Sequence, residues 1–316
     1  MSQFITEARV KQYSANVFHL AQQKGSKLRG YVRVESQQGV AAFYDRIGKV
    51  TAQKKVGRHI DISYSDTPHS RRRVTLEDYF YADLVDKEDK LRIIQNPESE
   101  YAIAAMNALG RAMDDVIIGA ALGTSYAGEE GGTPVQLSDT PVENNQILAA
   151  FDGTTTTGSG LNVDTLIAIK KKFWENESDD GDLYILVSSA QLQDLLNDDK
   201  LTNNDYNTVR TLVNGDIDTF MGFKFLRSER LPNTSAATTY SVTDGSIGAG
   251  GGTLASGARR CFAWQKQGLL LAMAKDVNAK VSEIPHKHYA KQVYASLHLG
   301  ATRLEEERVV EFRCKE

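Results

Sequence analysis

The chain has little cysteine: Cys261 and Cys314 are the two in 316 residues. Two thiols cannot build a disulfide framework, so a reducing compartment is expected, with both side chains as packing residues. Long hydrophobic runs are also missing. The most apolar stretch, Val116 to Leu122, is far shorter than a membrane span. The first residues, MSQFITEARV, carry neither a basic region nor an apolar core, so no signal peptide is expected. No internal repeat is visible, and the chain reads as a soluble protein made in the cytoplasm.

Catalytic signatures are absent as well. There is no G-K-[ST] phosphate loop and no G-x-S-x-G elbow. Gly250, Gly252 and Ala255 satisfy a dinucleotide-type spacing, but their Gly/Thr/Ser-rich surroundings read as a flexible loop. The acidic run from Asn176 has Gly181 at the sixth place of a calcium loop but Val187 at the twelfth, where a glutamate is needed. His286 and His288 sit at strand spacing with no third ligand, which favours a polar strand face over a metal site. No catalytic residue, cofactor or metal is expected.

What is present is ordinary bulk and uneven charge. Apolar residues make up 41% and charged residues 25%, enough to bury a sizeable core. The net charge is −4, yet residues 1–73 hold 14 Lys/Arg against 5 Asp/Glu, a net of +9, leaving −13 for the rest. A basic segment and an acidic body favour contact, within one subunit or between neighbours. Residues 175–218 are the most acidic part, with 11 acids against 2 bases.

Helical spacing of Val10, Tyr13, Val17 and Leu20 predicts an isolated helix over residues 4–24. Alternation across 30–66 predicts long strands or a hairpin too poor in apolar residues to stand alone. Asn96 as cap, Pro97 at the first position and acids at Glu98 and Glu100 open a helix of about 26 residues ending near Gly123. Asn162 caps a second helix, the apolar run LYILVSS reads as a buried strand, and a short helix follows over about 190–196. The stretch 239–260 reads as a loop or hairpin tip, and strand-like runs follow to the end. Arg71, Arg72 and Arg73 form the sharpest basic cluster, which could bind phosphate or pair with acids on a neighbour. The neighbour is favoured, because no stacking aromatics surround the cluster.

The segments FYDRIGKVTAQKKVGRH, DTPHSRRRVTLEDYFYADLVDKEDKLRI and PESEYAIAAMNALGRAMDDVIIGAALG, with LHLGATRLEEERVVEF near the end, together resemble the tailed-phage major capsid proteins of the Hong Kong 97-type fold. The resemblance covers nearly the whole chain. It implies an α+β fold with an N-terminal arm (1–38), an extended β-hairpin loop and return strand (39–90) and a peripheral domain (91–182) holding a long spine helix over 97–122. It further implies an axial domain (183–260) and a final segment (261–316) that ends the axial domain and returns to the peripheral one.

The implied function is a virion shell subunit, not an enzyme. Homo-oligomeric pentamers and hexamers would form an icosahedral head around double-stranded DNA, contacted non-specifically, with no membrane involved. Assembly in the host bacterial cytoplasm would use a separate scaffolding protein and a portal, with decoration proteins a further possibility. On this analogy Lys54, Lys55, Arg58, Arg71, Arg72 and Arg73 are intersubunit contacts. Asp198, Asp199 and Asp205 are acids facing one another at capsomer centres. The alternatives are an encapsulin-like nanocompartment shell, a monomeric α/β enzyme, and a DNA-binding protein acting through the basic arm.

Overall fold

The computed structural model describes residues 22–55, 57, 61–62, 64–85, 98–137, 146–147, 160–178, 181–197, 219–232 and 258–315. Strands β1 (Arg33–Ser36), β2 (Ala41–Ile47), β3 (His69–Thr75) and β4 (Glu77–Val85) precede the long helix α1 (Glu98–Leu122). Next come β5 (Ser125–Ala127), β6 (Thr133–Val135), β7 (Gln146–Ile147) and helix α2 (Val163–Glu175). Then follow β8 (Leu183–Val187), helix α3 (Ser189–Leu196), β9 (Thr219–Phe220) and β10 (Phe223–Arg227). The chain closes on β11 (Ala258–Gln265), β12 (Leu269–Ile284), β13 (Ala290–Arg303) and β14 (Val309–Lys315). The fold class is α+β.

The chain divides into two compact units, one within residues 1–26, 78–112 and 275–297, the other within 27–77, 113–274 and 298–316. In the smaller unit, residues 22–26 lie along α1. Arg111 Nη1 donates to Gln22 Oε1 at 2.8 Å, and the Gly25 N–H donates to Asn107 Oδ1 at 3.1 Å. Gly110 permits this approach, because a Cβ there would lie 2.4 Å from the Gly25 carbonyl carbon. On the sheet of this unit, Phe80 of β4 stacks on Tyr294 of β13 with ring centroids 6.5 Å apart.

The larger unit is organised by a six-stranded sheet of order β7-β14-β11-β8-β10-β9. Its strand β8 is paired on both sides, antiparallel with β11 and parallel with β10. A strand covered on both faces has no solvent side to alternate with, which is why LYILV reads as a continuous apolar run. Phe262, Trp264 and Phe312 are buried in this sheet, as are Cys261 and Cys314, which form no disulfide. Asn162 caps α2, its Oδ1 accepting from the Thr165 N–H at 2.8 Å, and the buried Leu166, Ile169 and Phe173 follow at helical spacing.

A second, four-stranded sheet in the same unit has order β2-β3-β5-β6. Its β2–β3 hairpin is the paired base of the extended segment, with Ile47 opposite His69 as the outermost pair. The strand expected to continue through Ile60, Ile62 and Tyr64 is not formed where the chain is described. Residues 48–55 and 64–68 have no ladder, and Ile62 and Tyr64 are 77% and 91% exposed. Alternation there faces no partner surface, so it specifies no register. Of the helix expected over 4–24, residues 4–21 lie outside the described residues and 22–24 are not helical. Asn96, Pro97 and residues 239–257 also lie outside them. His286 and His288 do not share a strand face: Pro285–Lys287 is a 3-10 turn, and His288 follows at φ 52° in the β12–β13 turn.

Candidate functional site

The alternation of β3 splits the arginine triplet between two faces. Arg72 and Val74 point inward, while Arg71 and Arg73 lie on the other face. Tyr44 and Ala42 of β2 stand opposite Arg72 and Val74, and this inner face covers a small core of Leu270, Ala272 and Leu304. That contact supplies the apolar support the hairpin lacks on its own. Gly300 of β13 permits close packing, since a Cβ there would sit 2.1 Å from the Thr75 carbonyl oxygen.

Inside, Arg72 Nη2 reaches Glu306 Oε1 at 2.5 Å. Arg46 Nη1 lies 3.4 Å from Glu306 Oε2, and Arg303 Nε lies 3.6 Å from Oε1. Arg303 also donates through Nη1 to the Ala121 and Gly123 carbonyls at 2.9 and 2.8 Å. Arg260 Nη2 donates to the Leu122 carbonyl at 3.0 Å. Helix α1 has no basic residue in its last turn, so these two distant arginines satisfy its C-terminal carbonyls. Arg260 in turn grips Glu311 bidentately, Nε to Oε1 at 2.6 Å and Nη2 to Oε2 at 2.9 Å. Burial lowers the guanidinium of Arg303 to about 10 and lowers that of Arg72 also. Both remain cationic at neutral pH.

The outer face has a different chemistry. Phe43, Asp45 and Ile47 are exposed there, opposite Arg73, Arg71 and His69. The Arg71 guanidinium lies 5.7 Å from the Phe43 ring centroid and donates to Asp45 Oδ1 at 2.6 Å. That bond holds the Asp45 carboxyl below its ordinary range and raises the Arg71 guanidinium. Tyr126 of β5, exposed, extends this face beside Arg73. Cationic and aromatic side chains on one strand face make a surface for non-covalent contact. No group of three or more His, Cys, Asp or Glu that could hold a metal occurs among the described residues.

Lys54 and Lys55 are exposed beyond β2, so of the expected contact residues they, Arg71 and Arg73 lie outside the core. Arg72 is occupied within its own chain. Arg58, Asp198, Asp199 and Asp205 lie outside the described residues. Glu306, Glu311, Arg46, Arg260 and Arg303 were not anticipated. Only the inward phase of Arg72 on β3 hints that a buried acid must exist.

No described helix is long and apolar enough to cross a membrane. A comparison with curated proteins finds no match. Among solved structures, the capsid of cyanophage P-SCSP1u is similar at a TM-score of 0.70 and 15% identity, covering 98% of this chain and 93% of that one. The capsid of Helicobacter pylori bacteriophage KHP30 is similar at 0.70 and 10% identity, covering 99% and 98%. The capsid of a native GTA particle is similar at 0.67 and 12% identity, covering 98% and 96%. These likenesses establish a capsid fold. The family model described as phage capsid protein matches residues 5–316, and the chain therefore belongs to that family as a major capsid protein, a structural component of the virion whose repeated copies build the head and not an enzyme.

Proposed function

We propose that copies of this chain associate as pentamers and hexamers that tile an icosahedral head around double-stranded DNA. The observation that carries this reading is the outer face of the β2–β3 hairpin, where Phe43, Ile47, Arg71 and Tyr126 stand exposed on a sheet whose other face is packed. The face suits acidic and apolar groups on a neighbouring subunit, and the −13 balance of residues 74–316 supplies acids. Lys54, Lys55, Arg58 and Arg73 extend the same contact, while Arg72 supports it from within. Asp198, Asp199 and Asp205 take the capsomer centre, where spacing or cations relieve their repulsion.

The arm (1–38), extended loop (39–90), peripheral (91–182) and axial (183–260) divisions, and the returning segment (261–316), belong to this reading. So do assembly in the host bacterial cytoplasm and a separate scaffolding protein, portal and decoration proteins. Membership of the phage capsid family favours a DNA-filled head over an encapsulin-like compartment.

The test is negative-stain electron microscopy with light scattering on purified protein. Hollow shells, or capsomers of five and six subunits, support the reading. A monodisperse monomer near 34.9 kDa at every salt concentration, with or without a co-expressed scaffold, overturns it.

A further inference from the structure

The buried charges of the larger unit do not balance around the hairpin. Among the described residues, Arg72, Arg260, Arg303 and Arg313 are buried there against Glu306 and Glu311, while the other buried acid of the unit, Asp114, accepts from the Lys27 and Leu28 N–H groups. Arg46, with a quarter of its side chain exposed, adds another guanidinium at Glu306. Glu311 is engaged by Arg260 at 2.6 Å and by Arg313 at 3.2 Å. That leaves Glu306 as the shared partner of Arg46, Arg72 and Arg303, with nitrogens 3.4, 2.5 and 3.6 Å from its oxygens. Guanidiniums do not shed their protons at physiological pH, so the cluster keeps an excess of positive charge away from bulk water.

The donors are in excess too. Arg72 Nε and Nη1 and Arg303 Nε are enclosed and make no hydrogen bond among the described residues. An acceptor bearing negative charge answers both deficits, and we propose that the Arg46, Arg72 and Arg303 cluster around Glu306 binds a small inorganic anion of halide size. A water molecule accepts from the donors but leaves the charge uncompensated. A carboxylate carried on another polypeptide needs an open path, and these nitrogens expose almost no surface. Arg46, on the partly open side, is the point of entry. The anion is a structural counter-ion that lets the hairpin, through Arg46 and Arg72, and the end of α1, through Arg303, share one carboxylate.

The site lies within one chain and stands apart from the assembly reading, so a failure to form shells leaves it intact. The experiment compares thermal unfolding of the full-length protein in chloride and in gluconate at matched ionic strength. Binding gives a chloride-specific rise of about 2 °C or more per tenfold increase in concentration above the dissociation constant. Arg46→Gln, at a partly exposed position, keeps the fold and weakens the apparent chloride affinity about tenfold. Diffraction from bromide-grown crystals then shows an anomalous peak in contact with Arg72 Nε or Nη1. Identical unfolding in the two salts, or ordered water at those nitrogens with no anomalous signal, overturns the proposal.

Discussion

Arg72 and Glu306 are 234 residues apart in the chain and face each other at 2.5 Å, both buried. The pair fixes the inner face of the hairpin to the loop ahead of β14. Removing one partner of a buried pair leaves the other charge unanswered, which costs about 3–5 kcal/mol. Glu306→Gln is the sharper case, because it strands three guanidiniums at once. Its denaturation midpoint is expected well below those of the wild type and of Arg71→Ala, whose exposed pair with Asp45 adds little stability. Equal midpoints for Glu306→Gln and wild type would remove the anchoring role.

Arg71 and Phe43 separate folding from association. Their side chains contact one another on the open face, so Phe43→Ser combined with Arg71→Glu leaves the inner core of Val74, Leu270 and Leu304 untouched. The expected outcome is a folded subunit with an unchanged circular dichroism spectrum and a strongly reduced yield of shells. Normal shells from the double variant would show that this face is not an assembly contact.

Gly110 sets the path of residues 22–26. A methyl group there would meet the Gly25 backbone at 2.4–2.6 Å, and backbone cannot swing aside as a side-chain tip can. Gly110→Ala therefore displaces the segment, with overpacking worth about 1–3 kcal/mol. Hydrogen exchange at Gly25, whose N–H bonds Asn107 Oδ1, is expected to accelerate while the Phe262 and Trp264 amides of the buried sheet stay protected. Unchanged exchange at Gly25 would mean that the segment tolerates the extra atom.

The parts of this fold legible in the sequence are those whose cause is local. Asn162 announced α2 because a cap and the N–H it accepts from sit three residues apart, and the buried β8 showed as an unbroken apolar run. Helix α1 was visible from its composition, its length and its stop near Gly123, although the groups that satisfy its last carbonyls were not. The arginines that finish it, Arg260 and Arg303, come from 138 residues or more beyond the carbonyls they bond. The triplet at residues 71–73 read as one basic patch until strand phase divided it, because a charge count carries no face. Alternation at the described Ile62 and Tyr64 and at His286 to His288 misled for a shared reason. Period two describes a strand only where a neighbour pairs with it, and Pro285 instead begins a turn.

Glu311 gives the fold a defined acid limit. Burial opposes its ionisation, but Arg260 and Arg313 outweigh burial and hold its carboxyl below the ordinary carboxylate range. A lowered folded-state pKa means that the unfolded chain binds the proton first as pH falls. The stabilisation is therefore complete above the ordinary value near 4.3 and is lost as pH drops through the folded-state value. Denaturant midpoints are expected to be flat between about pH 5 and 7 and to fall steeply below about pH 4. Glu311→Gln removes the titrating group along with the pair, so its midpoint starts lower and declines less over the same acidic range. A variant as steep as the wild type below pH 4 would transfer the acid sensitivity to other carboxylates and leave Glu311 a packing residue.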